Sequence, residues 1–365
     1  MEQVPVRPQV EGFRPYAPGM SIDAIQERYG LSRVIKLASN ENPLGTSPVV
    51  VERLRRMAPL AFCYAQAGTP RLTAAIAQHL DIDPAWIVVG NGSDEIIDLL
   101  VRVVARPEED HVLAFRPCFS IYDTQARLCG VPLRQVPLGP DLDFDMDALA
   151  AAADASTALV FLTNPDNPSG HAVPREEVLR LAGRLPQRTL LVVDEAYVDF
   201  ADPVGRYTVL PVVESHPRIV VLRTFSKMYG LAGLRLGFGV MAPWLADLLL
   251  RVKLPFSVNV LAEQAGLAVL GDEIFLAETR RVVVEGRQYV AQELQRLGCA
   301  PRPSQANFIL FRPPRPALEV FEALLERGII IRPLASYGLP ECLRVSIGTA
   351  EENRLFIHHL EEVLA

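Results

Sequence analysis

The sequence has few of the residues that mark disulfide-linked, metal-binding or nucleotide-binding proteins. Only five of the 365 residues are cysteines, and they lie singly, without a CxxC pair, at Cys63, Cys118, Cys129, Cys299 and Cys342. A scattered, odd-numbered set is typical of reduced thiols, so we expect neither disulfides nor a zinc site. The six histidines show no HxxxH spacing, and no GxxxxGK[ST] segment occurs. Metal-dependent hydrolysis and a Walker-type nucleotide site are therefore disfavoured, and we expect no metal.

Long apolar runs and basic stretches are also missing. No segment reaches 18 uninterrupted apolar residues, and the first residues, MEQVPVRPQVEGF, lack the apolar core of a signal peptide. The 36 Lys and Arg residues against 43 Asp and Glu residues give a net charge of −7, whereas nucleic-acid-binding proteins usually carry a basic face. These absences favour a soluble, cytoplasmic protein that binds small molecules rather than nucleic acid or membrane.

What the sequence does contain is a regular alternation of strands and helices. Near-continuous apolar runs, typical of strands buried on both faces, lie at 86–90, 111–115, 158–162, 189–194, 219–225 and 236–240. Helical patterns lie between them, near 93–105, 119–128, 174–184 and 243–252. This alternation predicts an α/β fold, with an open, mostly parallel sheet covered by helices on both faces.

The pattern changes near residue 253, which indicates a second domain. A helical region at roughly 258–297 precedes short strands at 307–311, 328–332 and 343–348, as in a smaller α+β domain. A chain of this length also exceeds the usual size of a single core. We expect an N-terminal arm or small-domain segment, a large domain and a small C-terminal domain, at 1–44, 45–255 and 256–365 respectively.

The segments that follow the predicted strands carry residues suited to a ligand site. In open α/β sheets, ligands bind beyond the carboxyl ends of the strands. The segments are NGSDE (91–95), RPCFSIY (116–122), TNPDNPSG (163–170), DEAY (194–197) and FSKMYGLAGLR (225–235). The glycine turn before Ser93 and Asp94 offers backbone N–H groups to an anion, although it also fits an ordinary helix cap.

Three further positions suit a charged planar ligand. Lys227 follows a buried strand, where desolvation favours the neutral amine that forms imines, although it also fits a surface lysine at a helix start. Ser226 and Arg235 beside it suit a phosphate. Asp194 ends an apolar strand, where a buried carboxylate needs a cationic partner. A protonated pyridine nitrogen would be such a partner, although the residue also fits a metal ligand or a helix cap.

Two aromatic residues complete the pattern. Tyr197 places a phenol near Asp194, and Phe119 suits stacking on a planar ring, although both residue types also serve as core packing. An imine-forming lysine, a phosphate clamp, a pyridinium partner and a ring stacker are together what pyridoxal phosphate requires.

Motifs along nearly the whole chain resemble those of pyridoxal-phosphate-dependent aminotransferases with the aspartate aminotransferase fold, and most closely the histidinol-phosphate aminotransferases. They are RPYAPG (14–19), KLASNENPLG (36–45), GNGSDEIIDLL (90–100), TNPDNPSG (163–170), VVDEAYVDF (192–200), RTFSKMYGLAGLRLGF (223–238), PSQANFIL (303–310) and LRVSIGT (343–349). The resemblance implies the fold type I architecture of these transferases and pyridoxal 5'-phosphate as cofactor.

The resemblance also implies residue roles. Lys227, Asp194 and Tyr197 match the catalytic positions: the lysine that bonds to the cofactor and shuttles a proton, the partner of the ring nitrogen, and a partner of the ring oxygen. The cofactor-binding positions are matched by Ser93, Asp94, Phe119, Asn164, Asp194, Tyr197, Ser226, Lys227, Arg235 and Tyr64. The substrate-binding positions are matched by Tyr16, Asn40, Arg332 and Arg344. In such proteins the tyrosines at positions like Tyr64 and Tyr16 come from a neighbouring subunit, which implies a homodimer with shared sites.

The activity implied is ping-pong transamination between histidinol phosphate and 2-oxoglutarate, giving imidazole-acetol phosphate and glutamate. Three alternatives stay open. An aromatic amino-acid aminotransferase would use the same scaffold, because a pocket for imidazole accepts phenyl. A phosphothreonine-type decarboxylase would orient the substrate carboxylate differently against the ring. A non-catalytic regulator would need an additional DNA-binding domain, for which the chain leaves no room.

Overall fold

The computed structural model describes residues 4, 6–13 and 21–365. The α-helices are α1 (Pro8–Glu11), α2 (Ile22–Tyr29), α3 (Pro48–Met57), α4 (Pro70–Leu80), α5 (Gly92–Val104), α6 (Ser120–Leu128), α7 (Met146–Ala152), α8 (Arg175–Arg184), α9 (Val204–Tyr207), α10 (Pro243–Val252), α11 (Val260–Val269), α12 (Glu273–Arg296), α13 (Ala317–Glu326) and α14 (Ala350–Leu364). The strands are β1 (Ile35–Lys36), β2 (Ile87–Asn91), β3 (His111–Arg116), β4 (Leu133–Pro137), β5 (Thr157–Thr163), β6 (Leu190–Asp194), β7 (Ile219–Thr224), β8 (Leu236–Val240), β9 (Ala300–Pro301), β10 (Phe308–Arg312), β11 (Ile329–Ile330), β12 (Arg332–Pro333) and β13 (Leu343–Ser346).

The larger sheet has seven strands in the order β2-β8-β7-β6-β5-β3-β4. Its strands run parallel except β8, which is antiparallel to β2 and β7. Successive residues of β6 point to opposite faces: Leu191 and Val193 enter one core, whereas Leu190 and Val192 enter the other. Helices cover both faces, which explains the uninterrupted apolar runs. The predicted α/β class and mostly parallel sheet are confirmed.

The smaller sheet has four antiparallel strands in the order β12-β13-β10-β9. Residues of α12, α13 and α14 pack with it in a core of its own, which includes Val290, Leu324 and Phe356. The single strand predicted at 328–332 is in fact two strands. Ile329 and Ile330 pair with β1 in a separate parallel ladder, whereas β12 pairs with β13. The local apolar pattern does not distinguish these two partners.

Helix α11 packs with the larger sheet, although the sequence predicts it in the small C-terminal domain. This helix begins beyond residue 255, yet Ala262, Ala265 and Val269 join the core of the larger sheet together with Val50 of α3 and Leu72 of α4. The division at residues 44 and 255 stays a prediction. Within the part of the chain that the structure describes, no helix has the length and apolarity needed to cross a membrane.

Candidate active site

A cleft with an empty volume of about 640 Å³ opens at the carboxyl ends of the central strands, where the sequence predicts a ligand site. Thr163, Asp194 and Thr224, the last residues of β5, β6 and β7, form part of its wall. The cleft is lined by Ser93, Asp94, Phe119, Thr163, Asn167, Asp194, Ala196, Tyr197, Thr224, Ser226, Lys227, Ala232 and Arg235.

Lys227 enters this cleft from the turn after β7. Its Nζ donates to the carbonyl oxygen of Ser39 at 3.1 Å and lies 5.8 Å from the ring centroid of Tyr197. Burial, with a smaller contribution from the charge of Arg344, lowers the pKa of Lys227 from its ordinary 10.5 to about 8. A substantial neutral fraction near neutral pH makes this amine a nucleophile.

Asp194 lies at the floor of the cleft and is only 3% exposed. Its Oδ2 accepts a hydrogen bond from the Tyr122 hydroxyl at 2.8 Å, and its Oδ1 accepts from the backbone N–H of Ala196 at 3.2 Å. Burial raises the pKa of Asp194 to about 6, so the carboxylate is ionised at neutral pH but unfavourably so. Such a buried anion is stabilised by a cation in the cleft.

One end of the cleft is built for an anion. Helix α5 begins there, and the N–H groups of its first turn have no helical partner. The Arg235 guanidinium contacts Asp94 at 3.2 Å and the Ser226 hydroxyl at 3.5 Å. The absence of a side chain at Gly92, which has φ +74°, lets the Arg235 guanidinium approach the backbone: a Cβ there would lie 2.7 Å from it. Burial raises the pKa of Asp94, and Arg235 opposes that rise.

Tyr197 is held by two amide groups. Its hydroxyl accepts from Asn40 Nδ2 at 3.3 Å and from Asn167 Nδ2 at 3.4 Å. Because both amides donate, the phenol hydrogen is directed to neither of them, and burial raises the pKa of Tyr197 to about 12. Tyr197 is therefore a neutral hydrogen-bond donor facing the cleft. Asn40 itself is buried, at φ 55°, and binds Ser346 as well as Tyr197.

The structure contradicts the prediction for Asn164. Its side chain is fully buried and bonds to backbone groups of Val173 and Tyr207. It therefore braces the loop and does not line the cleft. Asn167, three residues later in the same motif, lines it instead. The motif contains two asparagines, and the sequence does not tell which of them faces the ligand.

The two arginines predicted to hold substrate lie opposite each other on neighbouring strands, β12 and β13. Arg344 is 5% exposed and donates to the Asn167 side chain and to the Ala38 carbonyl oxygen. Its Nε has no partner among the residues that the structure describes. Arg332 does not reach the cleft that contains Lys227; it lines another cavity with Arg116. The role of Arg332 stays a prediction.

The remaining predicted residues differ in position. Phe119 lines the cleft, as a stacking residue must. Tyr64 lies outside it, 83% exposed, with its ring stacked on Phe256 at 4.8 Å. Tyr64 does not line the cleft of its own chain, and its contact with the site of a neighbouring subunit stays a prediction. Tyr16 lies outside the described residues.

Several residues at the cleft are not among those predicted from the sequence. Tyr122, Thr163, Thr224 and Asn167 touch the cleft or its charged groups. A signal existed for two of them: Tyr122 follows Phe119 by three residues on α6, and Thr163 ends an apolar strand just as Asp194 does.

The donors and charges of the cleft fit the cofactor that the resemblance implies. A nucleophilic amine, a buried carboxylate and a neutral phenol face one space, while a helix start, two hydroxyls and a guanidinium bound its other end. The carboxylate suits a pyridinium nitrogen, the phenol suits a ring oxygen, and the guanidinium end suits a phosphate.

Comparison with known proteins agrees with this arrangement. Residues 32–360 match the family model "Aminotransferase class I and II". Histidinol-phosphate aminotransferase of Oleidesulfovibrio alaskensis is 59% identical, over 98% of this chain and 95% of its own. The structure of histidinol-phosphate aminotransferase from Sinorhizobium meliloti in complex with pyridoxal-5'-phosphate is similar at a TM-score of 0.88 and 30% identity, covering 98% of this chain and 97% of that one.

A third similarity concerns the fold alone. L-threonine-O-3-phosphate decarboxylase from Porphyromonas gingivalis aligns at a TM-score of 0.79 with 24% identity, covering 90% of this chain and 99% of that chain. The family model and the 59% identical relative settle the classification that the sequence motifs indicate. The chain belongs to the class I and II aminotransferase family and, within it, to the histidinol-phosphate aminotransferases.

Proposed function

We propose that the protein transfers an amino group between histidinol phosphate and 2-oxoglutarate, in a ping-pong reaction that uses pyridoxal 5'-phosphate. The observation that carries this proposal is the cleft, which places Lys227 with its lowered pKa in one space with Asp194, Tyr197 and the anion site at the start of α5. The 59% identical relative supports the choice of substrate.

The cofactor is assigned to specific groups of the cleft. Asp194 would pair with the protonated ring nitrogen, Tyr197 would donate to the ring oxygen, and Phe119 would pack on the ring face. Ser93, Ser226, Arg235 and the first turn of α5 hold the phosphate, with Asp94 orienting the guanidinium. When bound, the cofactor bonds to amines through its aldehyde and accepts the electron pair released from a breaking C–H bond.

Lys227 handles the proton of the reaction. Because its pKa is about 8, its amine exists in both protonation states near neutral pH and both accepts and returns a proton. The Ser39 carbonyl oxygen, which accepts from Nζ at 3.1 Å, orients the amine within the cleft. In this position, Nζ of Lys227 would take up the proton from the substrate carbon that bears the amino group and would give it back later in the same half-reaction.

Arg344 supplies the charge for an anionic substrate. It is buried behind Asn167 and packs over the Phe308 ring at 5.0 Å, so water screens its charge only weakly. Both glutamate and histidinol phosphate carry an anionic group that a guanidinium binds. Tyr16, Asn40 and Arg332 remain proposed substrate contacts.

A direct assay tests this function. The purified protein with glutamate as donor is compared on imidazole-acetol phosphate, phenylpyruvate and 4-hydroxyphenylpyruvate by kcat/KM. We expect a clear preference for imidazole-acetol phosphate, and no turnover in the Lys227→Ala variant. A preference for the aromatic oxo acids would assign the protein to aromatic amino-acid transamination instead.

We further propose a homodimer with shared active sites. Phe62, Tyr64 and Leu254 are 86%, 83% and 73% exposed, and Tyr64 with Phe256 forms an aromatic pair on the surface. The Tyr64–Phe256 pair is exposed apolar surface of the kind that an interface would cover. In the dimer, Tyr64 reaches the phosphate end of the neighbouring cleft.

A further inference from the structure

Tyr122 is a buried tyrosine beneath the cleft whose hydroxyl is not explained by packing. It lies on α6, is fully buried, and stacks on Phe161 with ring centroids 4.4 Å apart and planes at 10°. This ring contact needs no hydroxyl, and a phenylalanine would satisfy it equally. The hydroxyl instead reaches Asp194 Oδ2 at 2.8 Å and Thr163 Oγ1 at 2.8 Å.

The direction of these two hydrogen bonds follows from the charge of Asp194. An ionised carboxylate only accepts, so Tyr122 donates to Asp194, and the Tyr122 oxygen is left to accept from the Thr163 hydroxyl. The result is a directed chain from Thr163 through Tyr122 to Asp194. The chain connects β5, α6 and β6, and its burial excludes water that would otherwise solvate the carboxylate.

We propose that Tyr122 is a positioning residue of the active site, whose hydroxyl, oriented by Thr163, holds Asp194 ionised and in one rotamer for the cofactor's ring nitrogen. Among the residues that the structure describes, the carboxylate without this hydroxyl retains only the Ala196 N–H at 3.2 Å, a single long hydrogen bond for a buried anion. Burial raises the pKa of Tyr122 well above its ordinary value, so the hydroxyl keeps its proton for donation. The inference rests on the proposed cofactor.

The test uses the full chain freed of cofactor and two ligands: pyridoxal phosphate, and the analogue with a C–H group in place of the ring nitrogen. Dissociation constants are measured by fluorescence quenching for the wild type, Tyr122→Phe and Thr163→Val. Tyr289→Phe on α12 is the matched control, because Tyr289 lines a different cavity, between α12 and α14, and not the cleft.

We expect Tyr122→Phe to raise the dissociation constant of pyridoxal phosphate about tenfold, the usual effect of losing a hydrogen bond to a charged group. Binding of the analogue, which has no ring nitrogen for Asp194 to pair with, should change less than about twofold. Thr163→Val should also weaken the binding of pyridoxal phosphate more than that of the analogue, but by a smaller factor. Tyr289→Phe should leave the affinities for both ligands unchanged.

Two results would overturn the inference. If Tyr122→Phe lost equal affinity for both ligands, Tyr122 would only support the structure. If its affinities were unchanged, the hydroxyl would not be used. Should Tyr122→Phe fail to fold, Thr163→Val decides between the same outcomes. Failure of the wild type to bind pyridoxal phosphate would instead refute the proposed function.

Discussion

Lys227 and Asp194 are titratable groups whose pKa values are moved toward neutrality by the same cause, burial in one cleft. The amine loses its proton more easily and the carboxyl keeps its proton longer, because both charged forms are poorly solvated there. The effects are useful only together: the first gives a nucleophile, and the second gives an anion that a cationic ring stabilises. Each shift predicts a measurable pH dependence.

The pKa of Lys227 predicts how fast the cofactor-free protein captures pyridoxal phosphate. Only the neutral amine reacts, so the rate should rise about tenfold per pH unit below 8 and level off above it. Stopped-flow absorbance between pH 6 and 10 measures this rate. The reaction of Nα-acetyl-lysine under the same conditions corrects for the cofactor's own titration. A rate that climbs to pH 10 would contradict the lowered pKa.

The raised pKa of Asp194 predicts that this residue lowers the stability of the cofactor-free protein while it serves cofactor binding. Its folded pKa of about 6 exceeds the ordinary 3.8, so the ionised carboxylate destabilises the cofactor-free fold fully above pH 6 and progressively less as pH falls toward 3.8. Asp194→Asn should therefore raise the melting temperature of the cofactor-free protein by several degrees at pH 8, and by less at pH 5. The same variant should bind pyridoxal phosphate much more weakly. A lower melting temperature at pH 8 would contradict the expectation.

Among the secondary structure elements, helix α5 and the strand β8 define the anion end of the cleft by close approach of their backbones. A Cβ at Gly237 of β8 would lie 2.4 Å from the Ser93 nitrogen, and Gly92 starts the helix at positive φ. Arg235, which precedes β8, adopts φ 54° and bends back toward Asp94. The anion site therefore depends on backbone geometry as much as on its charged side chains.

Gly92→Ala tests this dependence. The substitution strains a residue at φ +74° and brings Cβ within 2.7 Å of the Arg235 guanidinium. We expect pyridoxal phosphate affinity to fall at least about tenfold, while affinity for pyridoxal, which has no phosphate, changes little. Gly183→Ala is the matched control, because Gly183 lies on the exposed face of α8 with no atom near its added Cβ. Equal losses for both ligands would show a general defect.

At the scale of the whole molecule, segments that are distant in the chain meet beside the cleft. Tyr197 and Lys227 follow strands of the larger sheet; Asn40 and Ser39 bond to them, and Phe308 of the smaller sheet packs edge-on against the Tyr197 ring. In the proposed dimer, Tyr64 of a second copy makes a third contribution. The complete site is therefore expected only in an assembled dimer.

Mixed dimers test whether sites are shared. Lys227→Ala and Tyr64→Ala are each expected to lower activity, the first entirely and the second severalfold. Unfolding and refolding the two variants together should produce heterodimers with one site that contains both Lys227 and Tyr64, so activity should exceed the average of the two homodimers. Activity equal to that average would refute the sharing of sites through Tyr64.

The layered α/β architecture and the residues at the strand ends were predictable from the amino-acid sequence, because both follow from local patterns: apolar runs, helical periodicity and motifs of consecutive residues. Such segments identified Lys227, Asp194, Tyr197, Phe119 and the α5 start. Four features became visible only in the folded chain: which asparagine of the TNPDNPSG segment faces the cleft, the division of 328–332 between two ladders, the position of Arg332, and the place of Tyr122 beneath Asp194. Each of these depends on contacts between residues far apart in the chain, which no local pattern encodes.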